Sequence, residues 1–446
     1  MRFHHIVRPI TLLSCLGKLF ERILQRRLEY QVENNQILQN NQHGFRKKQG
    51  TVDILLKLEN IIRYSLGNRH ITLVIYVDLK SAFDTVWPEG LITKLIGNGF
   101  KGPLLGLLYS FLKNRKMKVV VDGVYSSVYE ILAGTPQGSV LSPILFDLML
   151  QDIPKSDGIE ILTYADDITI LTTGNDITDV KLNLENYLKK FVQWTKDWGL
   201  HINPKKSVLQ YFTRKKMSYP IIRMNKEVIH YKKVHKLLGL TIDSPKLTFK
   251  DHVAYLVKES QKRLDIMKSI SSPSWGATPK TLKKFYVSYI RAKINYGAVI
   301  YAAGNKILDR LEVVQNNALR MITGGRRTSP ILSLQAESNI PPLALQRGYN
   351  LVKEYIKLKC KPKNYSTSSF LGYDNHNITN VPFNSFTYRL RNYLQMFDIH
   401  IPRSFTESIP PWETCYKYII LEYLEDVSDN ITFNYYLDKY LPISRY

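Results

Sequence analysis

The chain is short of cysteine, of acid and of long apolar runs. Its three cysteines, Cys15, Cys360 and Cys415, stand far apart in 446 residues. They match no zinc-ligand spacing and build no disulfide framework. That excludes a small disulfide-stapled scaffold and points to a reducing, intracellular compartment, nucleus or cytoplasm. No apolar stretch nears the roughly 18 residues of a membrane span, so no membrane partner is expected. "MRFHHIVRPITLLSCLG" opens like a secretory leader, but Arg8, Pro9 and Lys18 interrupt it and no small-residue cleavage site follows. The sequons at Asn364, Asn377 and Asn430 then read as chance matches. No internal repeat or low-complexity tract is present, and nothing in the sequence speaks to oligomeric state.

The shortage of acid is the most informative. Lys and Arg number 62 against 38 Asp and Glu, a formal charge of +24. An excess of that size predicts a polyanionic partner, nucleic acid first and an acidic membrane second. It is unevenly spread: residues 402–446 carry −3 and residues 1–401 carry +27. With 44% apolar residues the chain can build a core, and its length allows two or three domains.

Periodicity predicts an amphipathic helix over 16–32, with Leu16, Leu19, Phe20, Ile23 and Leu24 on one face and Lys18, Arg22, Arg26 and Arg27 on the other. A second helix is expected over 51–66, capped by Thr51. "HITLVIYVDL" (70–79) is β-branched and almost wholly apolar, a central strand ending on Asp78. Further on come a helix over 88–100, a hairpin over 116–131 turning at Asp122-Gly123, and a helix over 142–153 with Ser142 as cap and Pro143 in its first turn. Strand–turn–strand over 158–172, a helix over 179–199 and a strand over 207–212 complete an α+β sheet layered on helices. Beyond Asp243 the chain turns helical: 252–270, 278–297 and 308–325, the last stopped by Gly324-Gly325. Pro341-Pro342 marks a boundary, and 346–446 shows weaker periodicity.

"ILTYADDITIL" (161–171) places Asp166 and Asp167 inside a run that otherwise favours burial. Stripping water from a carboxylate is costly unless something pairs with it. A tight hairpin projects both acids from its tip. Alone, that is equally the exposed turn of any hairpin. Should the strand ending on Asp78 lie beside it, three carboxylates converge. Like charges so close must take up a proton or be neutralised by cations. Hard oxygen ligands select Mg²⁺ or Mn²⁺ over zinc, and two such ions suit in-line phosphoryl transfer. The stretch 203–236 adds ten Lys/Arg and one acid, Glu227, interleaved with Tyr211, Phe212, Tyr219 and Tyr231. This is either a nucleic-acid track of phosphate-neutralising and base-stacking groups or a solvated basic ribbon over core aromatics.

"VDLKSAFDTVW" (77–87), "GTPQGSVLSPILF" (134–146) and "YADD" (164–167), in that order, resemble the reverse transcriptases of non-LTR (LINE-type) retrotransposons, in particular the jockey-like group. "RPITLLSCLGKLFERILQRRL" (8–28) and "QHGFRKKQGTVDIL" (42–55) are similar to fingers segments of that family. "GLHINPKKSVLQYF" (199–212) and "KLLGLTIDSPKLTFKDHV" (236–253) are similar to its late palm and primer grip, and "LEVVQNNALRMITGGRRTSP" (311–330) to its thumb. The resemblance covers residues 6–345. It implies a right-hand polymerase fold: fingers and palm over 1–245, a helical thumb over 246–345 and a mostly helical extension over 346–446.

The resemblance also implies roles. Asp78 and Asp166 would bind two Mg²⁺ ions (or Mn²⁺), with Asp167 the third acid and the Leu79 carbonyl a further ligand. Phe83 would be a steric gate against the ribose 2′-OH, unless it is a plain core ring. Gln137 and Gly138 would border the incoming nucleotide and the template, and Arg8 would hold the triphosphate. Lys206, beside Lys205, would protonate the departing pyrophosphate. Asp84 reads as structural. Lys205, Arg214, Lys215, Lys216, Lys232 and Lys233 would contact nucleic acid. Partners would be an RNA template, a DNA primer or nicked target DNA, and dNTPs.

The resemblance has limits. Only seven residues precede Arg8, no endonuclease domain lies upstream, and after "IPPWETC" (409–415) no "TDGS"-like strand opens an RNase H domain. The expectation is a polymerase core cut at both ends: an RNA-directed DNA polymerase, or a remnant that binds RNA or RNA–DNA duplex without turnover. Phe83 argues against an RNA-dependent RNA polymerase, and the Pro-Gln-Gly loop against a two-metal nuclease.

Overall fold

Strand β1 (Ile71–Val77) is buried at every residue, as its unbroken apolar sequence requires. The computed structural model describes residues 11, 13–272, 274–361 and 383–397, and these divide into two units. The first holds the described residues up to Ile54 and Arg69–Lys232, the second Leu55–Asn68 and the described residues from Lys233 on.

In the first unit, β1 is joined by β2 (Ile159–Tyr164), β3 (Asp167–Gly174), β4 (Val208–Phe212) and β5 (His230–Tyr231) in the order β5-β4-β1-β3-β2. All neighbours are antiparallel except β5 on β4. The register between β1 and β3 runs from Ile71 opposite Gly174 to Val77 opposite Ile168. Among the described residues five helices belong to this unit: α1 (Cys15–Asn34), α3 (Pro88–Gly97), α4 (Pro103–Leu112), α5 (Ser142–Met149) and α6 (Ile177–Asp197); α2 (Thr51–Gly67) starts here and continues into the second unit. Leu145, Phe146 and Met149 of α5 and Leu184, Leu188 and Phe191 of α6 pack into one core with β1 and β3. The Asp176 carboxylate caps α6, accepting from the Thr178 and Asp179 amides.

Three local expectations change. Helix α5 begins at Ser142 itself, and the Ser142 hydroxyl donates to the Pro136 carbonyl (2.7 Å), so it anchors the preceding loop rather than capping. Helix α2 likewise begins at Thr51, and the Asp53 carboxylate takes the Gly50 amide (2.7 Å). Helix α1 buries Glu21, Leu24, Leu28 and Val32, while Leu16, Leu19, Phe20 and Ile23 are exposed. Two hydrogen bonds, one buried and one partly buried, decide the helix's rotation: the Glu21 carboxylate accepts from the Ser139 hydroxyl and the Val140 amide, both at 2.7 Å.

The described residues of the second unit are mostly helical. It holds α7 (Lys250–Ser269), α8 (Pro279–Phe285), α9 (Ala292–Asn295), α10 (Asn305–Thr323), α11 (Ile331–Ser338), α12 (Leu343–Lys359) and α13 (Phe386–Phe397). A π-helical turn, Tyr286–Arg291, joins α8 to α9 within the expected 278–297 helix. Gly324 ends α10 in the left-handed region (φ 71°), as its sequence position predicts. Two side-chain pairs tie its elements together: Tyr286 donates to Gln315 (2.7 Å) and Arg389 to Glu59 (2.7 Å). Cys15 is free and exposed, and Cys415 lies outside the described residues.

Candidate active site

The ladder that places β1 beside β3 also decides where the acids fall. One step past the Val77–Ile168 pair, Asp78 leaves β1 where Asp167 enters β3. The β2–β3 hairpin closes on the Tyr164–Asp167 pair, leaving Ala165 and Asp166 as its turn. Ala165 takes a left-handed backbone (φ 54°), a conformation that costs a non-glycine residue energy and must be held from outside. It is held by the segment 41–44. The His43 amide donates to the Thr163 carbonyl (2.9 Å), and the Thr163 amide to the Asn41 carbonyl (3.1 Å). Gly44 comes so close that an added Cβ would sit well inside 3.0 Å of the Ala165 nitrogen.

Asp78 is clamped from the other side. Its amide donates to the Ser207 hydroxyl (3.2 Å) and its carbonyl accepts from the Asn203 amide (2.8 Å). Leu79 bridges to Ile202, so the turn 203–206 carrying the exposed Lys205 and Lys206 is tied to the Asp78 backbone. The acids feel one another. Burial, then the Asp166 and Asp78 charges, push the Asp167 carboxyl up to about 6.

Phe83 is half-buried, its ring 4.7 Å from that of Phe146. Gln137 donates to the exposed Asp84 carboxylate (2.7 Å), and Gly134 approaches Asp84 so closely that a Cβ would lie 2.7 Å from its Cα. Asp84 thus holds the Pro-Gln-Gly loop, and Gly138 continues that loop at φ 111°. Arg8 lies outside the described residues. In the basic ribbon, Arg214, Lys215, Lys216 and Lys232 are exposed. Lys215 donates to the Asn175 carbonyl (2.6 Å), while the Lys232 amide is tied to the Leu209 carbonyl (3.1 Å). Tyr219 stacks on Tyr231 at 5.0 Å, and Tyr211 meets Tyr231 at 5.4 Å. Lys233, also exposed, opens the second unit.

Gly44, Asn203, Ser207 and Glu21 were not singled out in the sequence. Of these only Gly44, inside "QHGF", carried a readable signal, since a glycine beside bulky residues marks a close backbone approach. Among the described residues, no three His, Cys, Asp or Glu side chains form a ready metal cage. The donors present, two or three carboxylates and a backbone carbonyl, are hard oxygens. They fit an ion that takes one or two protein carboxylates and completes its shell with substrate phosphates and water. No described helix is long and apolar enough to cross a membrane.

Acids at the end of a central antiparallel strand and on the turn of its neighbouring hairpin suit metal-assisted phosphoryl transfer. The chain belongs to the reverse transcriptase (RNA-dependent DNA polymerase) family, which matches residues 5–242. Its α+β class and right-hand polymerase fold follow from that membership. It is 32% identical over 328 residues to the probable RNA-directed DNA polymerase from transposon BS of Drosophila melanogaster, covering 71% of this chain and 36% of that protein. It is 30% identical over 359 residues to the RNA-directed DNA polymerase from mobile element jockey of the same organism, covering 78% and 39%. The chain therefore spans little more than a third of these relatives' length. Among solved structures, a telomerase from Candida tropicalis in complex with the TWJ fragment of telomeric RNA aligns at TM-score 0.43 and 12% identity, over 93% of this chain and 57% of that one.

Proposed function

We propose that the chain is the polymerase segment of a jockey-like, non-LTR retrotransposon protein, acting inside the cell in nucleus or cytoplasm. It extends a DNA primer, or nicked target DNA, with dNTPs on an RNA template. The observation that carries this reading is the β1–β3 register, which sets Asp78 opposite Asp167 with Asp166 on the adjoining turn. In this reading the first unit supplies fingers and palm, and the helices after Asp243 supply the thumb.

Asp78, Asp166 and the Leu79 carbonyl would hold two Mg²⁺ ions, with Asp167 the third acid; when bound, the ions would lower the pKa of the attacking hydroxyl and neutralise charge on the leaving group. The primer 3′-hydroxyl gives up its proton to water as its oxygen bonds to the α-phosphorus, the bond from that phosphorus to the α–β bridging oxygen breaks, and pyrophosphate leaves with a proton from Lys206 or its neighbour Lys205. Gln137, oriented by Asp84, and Gly138 border the nucleotide and template, and Arg8 grips the triphosphate. The Phe83 ring, braced on Phe146, closes the space a 2′-OH would need. Lys205, Arg214, Lys215, Lys216, Lys232 and Lys233, with the Tyr219–Tyr231–Tyr211 stack, track the nucleic-acid backbone and bases.

Primer extension on an RNA template with Mg²⁺ and four dNTPs, run beside Asp166→Asn, tests this. We expect the variant to lose incorporation by about a thousandfold or more while primer–template binding stays within about twofold, since the phosphate-contacting cations remain. Equal extension by both proteins sinks the metal assignment. Salt-sensitive binding with no extension by either establishes a binding remnant. Phe83→Ala should raise ribonucleotide incorporation relative to dNTPs; unchanged selectivity makes Phe83 a core ring only.

A further inference from the structure

The Pro-Gln-Gly loop is tethered from two directions. Its first half hangs on the segment that follows Asp78. The Gly134 amide donates to the Val86 carbonyl (2.7 Å), the Thr135 amide to the Phe83 carbonyl (2.8 Å), and the Gln137 side chain to Asp84 (2.7 Å). Its second half hangs on α1 and the chain just before it. The Thr11 amide donates to the Gln137 carbonyl (2.7 Å). Beyond Gly138, Glu21 Oε2 accepts from both the Ser139 hydroxyl and the Val140 amide, and Ser139 Oγ in turn accepts from the Leu141 amide (3.0 Å). Gly134 and Gly138 both take positive φ, 84° and 111°. Such glycine joints are conformationally permissive, so the residues between them are placed by their anchors rather than by their own preference.

Glu21 is an unexpected residue for its place. It lies on the buried stripe of α1 with Leu24, Leu28 and Val32, is 6% exposed, and forms no ion pair among the described residues. A buried carboxylate without a cation is costly, and an apolar side chain there would simply extend the stripe. What the carboxylate supplies is an acceptor. Without it, a hydroxyl and an amide at the end of the loop lose their partner. Both bonds fall on one oxygen, so the tether is a single point, and its geometry does not depend on the negative charge.

We propose that Glu21 is a positioning residue for the incoming nucleotide: from α1 it fixes the end of the loop, and across Gly138 it sets where Gln137 stands. It touches no substrate itself. The proposal rests on the polymerase reading and adds to it a control exerted on the nucleotide from α1.

The test is single-turnover incorporation of one dNTP on an RNA template and DNA primer with Mg²⁺, titrated in dNTP, beside primer–template affinity. Glu21→Leu keeps the stripe apolar and removes the acceptor. Its apparent dNTP Kd should rise about tenfold while primer–template affinity stays within about twofold. Glu21→Gln, which keeps one accepting oxygen, should return the dNTP Kd to within about threefold of wild type. Coupling separates positioning from a merely structural role. In a Gln137→Ala background Glu21→Leu should add less than about twofold, because the contact it positions is already gone. Should Glu21→Leu fail to fold, Ser139→Ala removes one of the two bonds and should raise the dNTP Kd about threefold, again with no further effect beside Gln137→Ala. An unchanged dNTP Kd, a full and independent loss on top of Gln137→Ala, or a Gln variant as impaired as the Leu variant makes Glu21 a structural residue only; the proposal then falls while the polymerase reading stands. No incorporation by the wild-type protein overturns both.

Discussion

Two hairpins in the first unit are built from similar residues and meet different fates. The β2–β3 hairpin, Ile159–Gly174, carries the acids; the other, over 115–131, turns at Asp122-Gly123. Both read as strands from β-branched runs. In the first, Ile168, Ile170 and Leu171 are buried. In the second, Val120, Val121 and Val124 are 53%, 63% and 73% exposed. The difference lies in their neighbours. Strand β3 is paired on both edges, by β1 and β2, and helices cover the sheet. The strands over 115–131 pair only with one another in two-stranded ladders. A two-stranded hairpin has no face of its own to bury against and gains little from apolar residues. A β-branched run therefore announces a strand but not its burial. A turn can hold acids in fixed positions only where the strands beneath it are locked.

The sharpest way to break this contrast is to loosen the locked hairpin from below. Ile170 is fully buried and stands opposite both Ile75 on β1 and Ile161 on β2. Ile170→Ala removes buried methyl groups and leaves a cavity in the core, with an expected loss of about 2–5 kcal/mol in denaturant unfolding. A loss below about 1 kcal/mol would mean that the sheet repacks freely and that the acid turn is not rigidly founded.

A smaller effect is expected where the turn is buttressed. Gly44→Ala would push a methyl group into the Ala165 backbone nitrogen. The turn must shift, and a displacement on the order of 1 Å at reacting groups costs about a hundredfold in rate, or roughly 2.7 kcal/mol. Incorporation should fall by that factor while primer–template affinity holds. Unchanged incorporation would show that segment 41–44 accompanies the acids without positioning them.

How much of this was legible in the sequence follows the same contrast. β1, the acid hairpin and the glycine stop of α10 were readable, because period, turn chemistry and burial agree there. The convergence of Asp78 with Asp166 and Asp167 was readable only as a condition, that β1 and β3 be neighbours, which the ladder meets. The rotation of α1 was not readable: leucines lie on two arcs of that helix, and the choice is made by Glu21 bonding Ser139 and Val140, 118 and 119 residues away. Asn203 and Ser207, which clamp Asp78, were hidden for the same reason. Their spacing obeys no period, and a polar anchor is visible only once the chain has folded around it.

The smallest expected effect sharpens the comparison from its other side. Val121→Ala in the exposed hairpin removes two methyl groups that are mostly in water already, so its transfer contribution is small and no cavity forms. What remains is the lower strand preference of alanine, a few tenths of a kcal/mol. Unfolding stability should move by less than about 0.5 kcal/mol, several-fold less than for Ile170→Ala. Because both sites are β-branched strand residues, the ratio of the two losses measures burial with propensity nearly held constant. A loss above about 1.5 kcal/mol at Val121 would require those valines to be covered in solution. Stability that then depended on protein concentration would identify the cover as a second copy of the chain.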